Sequence, residues 1–280
     1  MAQLPLEDNF NDIIAKAQKG FKLSDMALAA ATRTTVDDLN KLKSGEMNEP
    51  LVRRIGPIMN LDVGKLLELG NKSWYPPEHK VPGLVMFTTT YQDMTVNNYL
   101  VYDQLTQKAV VFDTGADITE LVKHCLANRL KIKFIFLTHT HVDHIAELER
   151  LKQKSGAPAY VCELEAFAGA EPFKAGKVFD LSNMEIETRL TCGHAKGGIT
   201  YVIHGLQKPV AIVGDAIFCC SMGGGMVSYV DALRTNRQQI FSLPDNTILC
   251  PGHGPLTTVA EQKVHNPFFP EYKQNASRPA

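Results

Sequence analysis

The chain has 280 residues, of which 44% are hydrophobic and 21% are charged; this composition excludes an intrinsically disordered protein and suits one large plus one small domain. Lys and Arg total 29 against 30 Asp and Glu, and this net charge of -1 argues against a protein that mainly coats nucleic acid or an anionic membrane. Six cysteines without a Cys-x-x-Cys pair argue against a disulfide scaffold and against a finger-type zinc site.

The N-terminal residues lack the basic and apolar regions of a secretory signal. The longest apolar runs, such as Val210–Val213, are far shorter than the roughly 20 residues of a membrane helix. We therefore expect a cytoplasmic protein with reduced cysteines and no membrane partner.

Residues 1–72 have only helical patterns. The first helix has apolar residues at helical spacing: Phe10, Ile13, Ile14 and Ala17. Thr35 and Asp38 have the spacing of a capping box for the third helix. The pattern predicts a small all-α domain of five short helices at 1–72, followed by a proline-containing linker at 73–83.

From residue 84 onward the pattern changes to short strands, which later alternate with helices. The predicted strands are Leu84–Thr90, Val96–Tyr102, Ala109–Phe112, Phe134–Leu137, Pro158–Cys162, Glu185–Leu190, Thr200–His204 and Val210–Val213. Helical patterns lie at 118–126, 142–154, 229–242 and 256–264. An initial meander followed by alternation predicts an α/β layered sandwich at 84–280, with sheets inside and helices outside.

The strongest chemical signal follows the apolar strand that ends at Leu137. Three histidines and one aspartate occur within six residues there: His139, His141, Asp143 and His144. An isolated His-x-His would usually be an exposed loop, so the interpretation depends on the remainder of the chain. A strand end that carries several imidazoles is a suitable place for metal ligands.

Three more segments each place one ligand-type residue after a predicted strand: His194, Asp215 and His253. Each is weak evidence alone, but together the chain offers five histidines and two aspartates. Such a nitrogen-rich set suits zinc, iron or manganese rather than calcium. Two adjacent metals need a bridging carboxylate, and Asp215 is the free candidate.

The pattern His-x-His-x-Asp-His, followed at intervals of 50, 21 and 38 residues by Gly-His, Gly-Asp and Gly-His, resembles that of the metallo-β-lactamase-fold hydrolases. It looks most like their glyoxalase II (hydroxyacylglutathione hydrolase) branch, and the segments 249–259 and 265–269 resemble the short glyoxalase II-like proteins. The resemblance spans about residues 82–270. It implies an αβ/βα sandwich with two divalent metals, most simply zinc, at one end of two facing sheets.

The resemblance also implies the role of each ligand. His139, His141 and His194 would bind the first metal, whereas Asp143, His144 and His253 would bind the second. Asp215 would bridge the two metals. Because true β-lactamases normally lack this bridging aspartate, Asp215 argues against β-lactamase activity.

These assignments imply a hydrolase in which hydroxide, formed from metal-bound water, attacks an activated carbonyl. Asp143 would also be the catalytic residue that orients the nucleophile and accepts its proton. Asp113, which ends a predicted strand, would orient a ligand histidine from the second shell, although a local turn role is an equal alternative.

The preferred substrate is a small-molecule thioester or ester, in the manner of glyoxalase II. The loop Cys219–Gly225 lacks the arginine that the family usually has there, and about ten residues follow Phe269 where full-length glyoxalase II has a helical domain. The sequence therefore does not identify the thiol that carries the acyl group. Persulfide dioxygenase and lactonase activities remain alternatives on the same scaffold.

Residues 23–69 resemble a Cro/repressor-like helix-turn-helix domain, in which the helix Val36–Lys43 would enter the major groove. Its first turn carries Asp37 and Asp38, and residues 1–72 contain ten basic and ten acidic residues. We therefore expect no nucleic-acid partner and favour a role in forming a homodimer or in covering the active-site entrance. The rival hypothesis is a DNA-binding, ligand- or metal-responsive regulator, but the complete ligand set favours turnover.

Overall fold

The structure, a computed structural model, describes residues 3–275, and for 273–275 only the backbone. The N-terminal part contains the five expected helices: α1 (Phe10–Gly20), α2 (Asp25–Thr32), α3 (Val36–Lys43), α4 (Glu49–Ile58) and α5 (Val63–Gly70). Local side chains define their starts. Ser24 accepts a hydrogen bond from the N–H of Ala27 at α2, and Thr35 forms the expected capping box with Asp38 at α3.

The first sheet has six strands in chain order: β1 (Leu84–Tyr91), β2 (Met94–Tyr102), β3 (Lys108–Phe112), β4 (Lys131–Phe136), β5 (Ala159–Cys162) and β6 (Glu171–Phe173). Strands β1 to β3 form an antiparallel meander, and β3 to β6 are parallel. Helices cover its outer face: α6 (Thr119–Ala127), α7 (Val142–Ile145) and α8 (Leu148–Ser155).

The second sheet has the order β12-β11-β10-β9-β8-β7. Its strands are β7 (Val178–Leu181), β8 (Met184–Leu190), β9 (Ile199–His204), β10 (Val210–Gly214), β11 (Ile248–Pro251) and β12 (Thr257–Thr258). Only β10 and β11 are parallel neighbours among these described strands. Outside it lie α9 (Tyr229–Thr235), which continues into a π-helical turn at Asn236–Ile240, and α10 (Val259–His265).

The two sheets enclose an aromatic core. Phe112 and Phe136 of the first sheet pack against Tyr201 of the second, each with a ring-centroid distance of 5.1 Å. Alternate residues of the second sheet point the other way, and Val202 and Ala211 join a cluster that contains buried residues of α1 to α5. The helical N-terminal part and the sandwich therefore share a continuous hydrophobic core.

The α/β sandwich preceded by helices is confirmed, and the differences from the sequence prediction are local. The predicted helix at 142–154 is two helices, α7 and α8. Strands β6, β7 and β12 were not predicted; β12 has two residues, and β6 is an edge strand that contains Pro172. Within the described residues, no helix combines the length and hydropathy needed to cross a bilayer.

Candidate metal centre

The seven predicted ligand residues all follow carboxyl ends of strands and meet at one edge of the sandwich. Four of them follow β4 (His139, His141, Asp143 and His144), whereas His194, Asp215 and His253 follow β8, β10 and β11. Strands β8, β10 and β11 point the same way, because each is antiparallel to β9 or parallel to its neighbour. Residues more than 100 positions apart in sequence are thereby brought into one site.

These residues form two groups. The first contains His139, His141, His194 and Asp215, and the second contains Asp143, His144 and His253; within each group one donor atom per residue lies within 4.8 Å of the others. In the first group, Nδ1 of His141 lies 3.0 Å from Nε2 of both His139 and His194. In the second, Oδ2 of Asp143 lies 3.4 Å from Nε2 of His144 and of His253.

Asp215 joins the two groups. Its Oδ2 lies 3.4 Å from Nε2 of His194, in the first group, and 3.4 Å from Nε2 of His253, in the second. Its Oδ1 lies 3.4 Å from Nε2 of His144. The carboxylate is therefore within reach of both groups, as a bridging ligand would be.

The arrangement fits a pair of divalent cations. Ligand atoms arranged tetrahedrally at about 2.0–2.1 Å from a zinc ion are about 3.3 Å apart, close to the separations found here. Nε2 of His144 and Oδ1 of Asp215 are buried and have no hydrogen-bond partner within the described chain. Buried polar atoms of this kind are costly without a partner, and a cation between them would supply one.

The imidazole rings are oriented so that their free nitrogens converge. Nδ1 of His194 donates a hydrogen bond to the carbonyl of Gly224, at 3.0 Å, and Nδ1 of His253 donates to the carbonyl of Thr95, at 2.5 Å. Each bond leaves Nε2 directed into the site. Such outer hydrogen bonds select the tautomer that a metal needs.

Asp113 accepts hydrogen bonds that orient two of the histidines. Its Oδ2 lies 2.8 Å from Nδ1 of His144, and it also accepts a bond from the hydroxyl of Thr138, at 2.7 Å. Because that hydroxyl donates to Asp113, it accepts from Nδ1 of His139, at 3.0 Å. Asp113 is thus buried beside the ligand groups rather than engaged in a purely local turn.

The charges of the site are strongly coupled. Burial lowers the pKa of His144, but Asp215 and Asp113 outweigh it and raise that pKa to about 10. Burial opposes ionisation of Asp215, yet His144 and His253 hold the pKa of this carboxyl well below its ordinary value. A cation bound beside Asp215 would therefore compete with protons on His144 and His253.

Sequence reasoning did not identify several residues that hold the ligand loops. Asn97 and Tyr99 of β2 bond the loop that carries His253: the Asn97 side chain donates to the carbonyls of Pro251 and Gly254, and the Tyr99 hydroxyl donates to Pro251 at 2.6 Å. An asparagine pair inside an apolar strand was the available signal, since such amides need buried partners.

Glu165 was also missed. Its carboxylate accepts from the N–H and the hydroxyl of Thr140, both at 2.9 Å, and from the N–H of Gly197, at 3.2 Å. It therefore connects the loop of His139 and His141 with the loop that follows His194. Nothing in the local sequence around Glu165 marks this function.

A pocket of about 380 Å³ opens over the two groups. His141, Asp143, His194 and His253 form part of its wall, with Asp215 below them. Its volume lies in the lower part of the range of small-molecule sites.

Residues 91–253 match the model of the metallo-beta-lactamase superfamily. The chain belongs to this superfamily. The match contains all seven predicted ligand residues and excludes the five N-terminal helices. In general terms, the protein is therefore a metallo-beta-lactamase-fold hydrolase.

Three individual relatives share 26–30% sequence identity with this chain over the aligned residues. A probable metallo-hydrolase of Streptococcus pyogenes is 30% identical over 199 residues, covering 61% of this chain and 84% of the relative. The hydroxyacylglutathione hydrolase GloC of Haemophilus influenzae is 26% identical over 201 residues, or 62% of this chain and 92% of the relative. The crystal structure of the BLEG-1 B3 metallo-beta-lactamase has a TM-score of 0.56 and 26% identity, and the match covers 66% of this chain and 99% of that protein.

Proposed function

We propose that this superfamily member is a two-metal thioester hydrolase of the hydroxyacylglutathione hydrolase type. The observation that carries the proposal is the position of Asp215, whose carboxylate approaches both ligand groups within 3.4 Å. A shared carboxylate supports the simultaneous binding of two cations, which is the arrangement suited to hydrolysis of an activated carbonyl.

In this proposal His139, His141 and His194 would hold the first cation and Asp143, His144 and His253 the second, and Asp215 would contribute to both sites. When bound, the cations would supply an acidified water molecule and a Lewis acid for the carbonyl oxygen. Zinc, iron and manganese all suit this donor set, since it combines imidazole with carboxylate oxygen.

Asp143 is the proposed general base. Burial raises the pKa of this carboxyl, but His253 and His144 outweigh burial and lower it, so the group is ionised at neutral pH. Asp143 also lines the pocket, where a substrate and an attacking water would meet. It would orient the water and accept its proton as the tetrahedral species forms.

A thioester substrate agrees with a mechanism in which no side chain has to protonate the leaving group. A thiolate with a pKa near about 8.5 leaves readily without protonation, whereas an alkoxide does not. The hydroxyacylglutathione hydrolase relative, at 26% identity, also supports a thioester.

The decisive experiment is a parallel panel with metal-loaded wild type and Asp215→Ala. The substrates are S-lactoylglutathione, other acyl thioesters, an acyl-homoserine lactone and a chromogenic β-lactam, together with oxygen consumption on glutathione persulfide. We expect thioester hydrolysis to dominate and to fall at least about 100-fold in Asp215→Ala. Removal of one group that stabilises charge in the transition state typically lowers a rate by about this factor.

Asp180→Ala, which removes an exposed carboxylate from β7, is the matched control and should keep wild-type rates. Lactone or β-lactam turnover well above thioester turnover would overturn the substrate assignment. Oxygen consumption with the persulfide would favour the dioxygenase alternative. Equal rates in wild type and Asp215→Ala would overturn the two-metal mechanism.

A further inference from the structure

Helix α1 lies at the mouth of the pocket above the metal centre. Lys16, Lys19 and Gly20 of α1 line this pocket together with the ligand residues. We propose that α1 forms one wall of the substrate site and that Lys19 binds a carboxylate or phosphate group of the substrate. This inference rests on the proposed function, because it names the chemical class of substrate for the same site.

The position of α1 is set by contacts that do not involve Lys19. Asp8, which is buried just before α1, accepts hydrogen bonds from Lys16, at 2.5 Å, and from the hydroxyl of Ser221, at 2.5 Å. Lys16 also donates to the carbonyl of Met222, at 3.0 Å. These contacts connect α1 to the loop that follows Asp215.

Two further contacts pack the C-terminal end of α1 against Tyr229 of α9. A side chain on Gly20 would overlap the ring of Tyr229, since its first carbon would lie 2.3 Å from that ring. Phe21 packs on the same ring, with a centroid distance of 5.7 Å. Helix α1 is therefore an integral part of the pocket wall.

Among the described residues that line the pocket, only Lys16 and Lys19 carry a fixed positive charge. They lie three residues apart and hence on one face of α1. The charge of Lys16 is compensated by Asp8. For Lys19, which is exposed, no ion pair or side-chain hydrogen bond is found among the side chains described, those of residues 3–272. Lys19 is therefore the charged side chain of the α1 wall that a substrate anion could pair with.

The other walls define the orientation of the substrate. Met94, Phe218 and Met226 supply apolar surface, and Glu7 lines the side of His253, where the chain at Glu7 packs against Gly254. A negative group on the substrate would be attracted by Lys19. A small thioester would thus place its carbonyl at the metal centre and a negatively charged end towards α1.

Two pairs of probes that differ in one charge test this inference. The first pair is the S-lactoyl thioesters of 3-mercaptopropionate and 3-mercaptopropionamide, assayed with the metal-loaded enzyme. The second pair is the S-propyl thioethers of the same two thiols, which have no hydrolysable bond, with binding measured by calorimetry. The probes of each pair have nearly the same shape, so the difference reports the carboxylate.

We expect the wild type to prefer the carboxylate probes about three- to tenfold in KM and in Kd, the range of a partly solvated charge-assisted contact. Lys19→Ala should remove the preference with kcat changed less than about twofold, because the contact is made equally in ground and transition states. Lys19→Arg should restore the preference, and Lys19→Glu should reverse it. Lys41→Ala, on an exposed position of α3, is the control.

The outcomes distinguish a failure of the anion-binding role of Lys19 from a failure of the proposed thioester hydrolysis. Equal affinity of the wild type for both thioethers, or a preference that persists in Lys19→Ala, would overturn the role of Lys19. If neither these thioesters nor S-lactoylglutathione is cleaved but the thioether preference exists and depends on Lys19, the proposed function is wrong and the anion site stands. A phosphate-bearing thioether bound more tightly than the carboxylate would support the same site with a phosphorylated substrate.

Discussion

The carboxylate of Asp113 lies 2.8 Å from Nδ1 of His144, and both side chains are fully enclosed, at 2% and 0% exposure. This bond keeps a proton on Nδ1 and leaves Nε2 facing Asp143 and Asp215. Asp113 therefore selects the tautomer that leaves Nε2 of His144 free for a cation.

Asp113→Asn tests that relationship. An amide donor towards Nδ1 of His144 would favour the opposite tautomer and place a proton on Nε2, where a cation should bind. We expect the affinity of the second metal to fall about 10- to 100-fold, as for other outer-sphere substitutions. Chelator competition with elemental analysis measures this, and Asp180→Asn is the control. Unchanged affinity in Asp113→Asn would show that Asp113 has no positioning role.

Glu165→Ala removes three hydrogen bonds that connect the loops of His141 and His194. We expect weaker binding of the first metal, again about 10- to 100-fold, with the second site less affected. Glu163→Ala, an exposed carboxylate in the same short turn, should behave as wild type. Cobalt titration followed by visible absorption would resolve the two metal sites. An equal loss of affinity at both sites would contradict the prediction that Glu165 supports mainly the first metal site.

Gly252→Ala tests the packing around Asp215. The added carbon would lie 2.1 Å from Oδ1 of Asp215 and 2.6 Å from Cε1 of His144. Because these groups are buried, we expect about 1–3 kcal/mol of destabilisation together with loss of metal and activity. Gly224→Ala, where the nearest contact would be 3.8 Å, is the control for thermal unfolding. A Gly252→Ala protein with wild-type stability and metal content would refute the steric argument.

Removal of metal should lower stability without abolishing the fold, because the sheets have large apolar cores of their own. A cation at 100 times its Kd would stabilise the native state by about 2.7 kcal/mol. We expect wild type to contain close to two transition metals by elemental mass spectrometry and to show a higher Tm when loaded. Asp215→Ala should show a smaller shift in Tm. Well-folded wild type that binds no metal from zinc, iron or manganese solutions would contradict this prediction.

Specific DNA binding is not expected from the N-terminal helices. Asp38 in the first turn of α3 is held by the hydroxyls of Thr35, at 2.7 Å, and Thr34, at 3.1 Å, so a negative group stands where phosphates would lie. A gel shift with genomic fragments at moderate salt checks this. A discrete complex that resists competitor DNA would revive the regulator hypothesis.

Much of the candidate site could be predicted because each predicted ligand residue follows a predicted strand. The apolar runs before His139 and before Asp215 become β4 and β10, which lie in different sheets, and the packing of the two sheets brings their carboxyl ends to one edge. The chemistry of imidazole and carboxylate then indicates metal binding without any knowledge of the packing. The division of the chain at 1–72, 73–83 and 84–280 stays a prediction, although the helices and the sandwich share core residues.

Local periodicity and residue chemistry sufficed to predict the α/β class, the helical N-terminal part and the candidate ligand residues. The contacts of Glu165 with two ligand loops, the support of the His253 loop by Asn97 and the position of Lys19 at the pocket became known from the packed structure alone. Such contacts join residues distant in sequence, and their partners are mostly backbone groups. A carbonyl or an N–H is present at nearly every position, so no sequence pattern distinguishes the one that a side chain will reach.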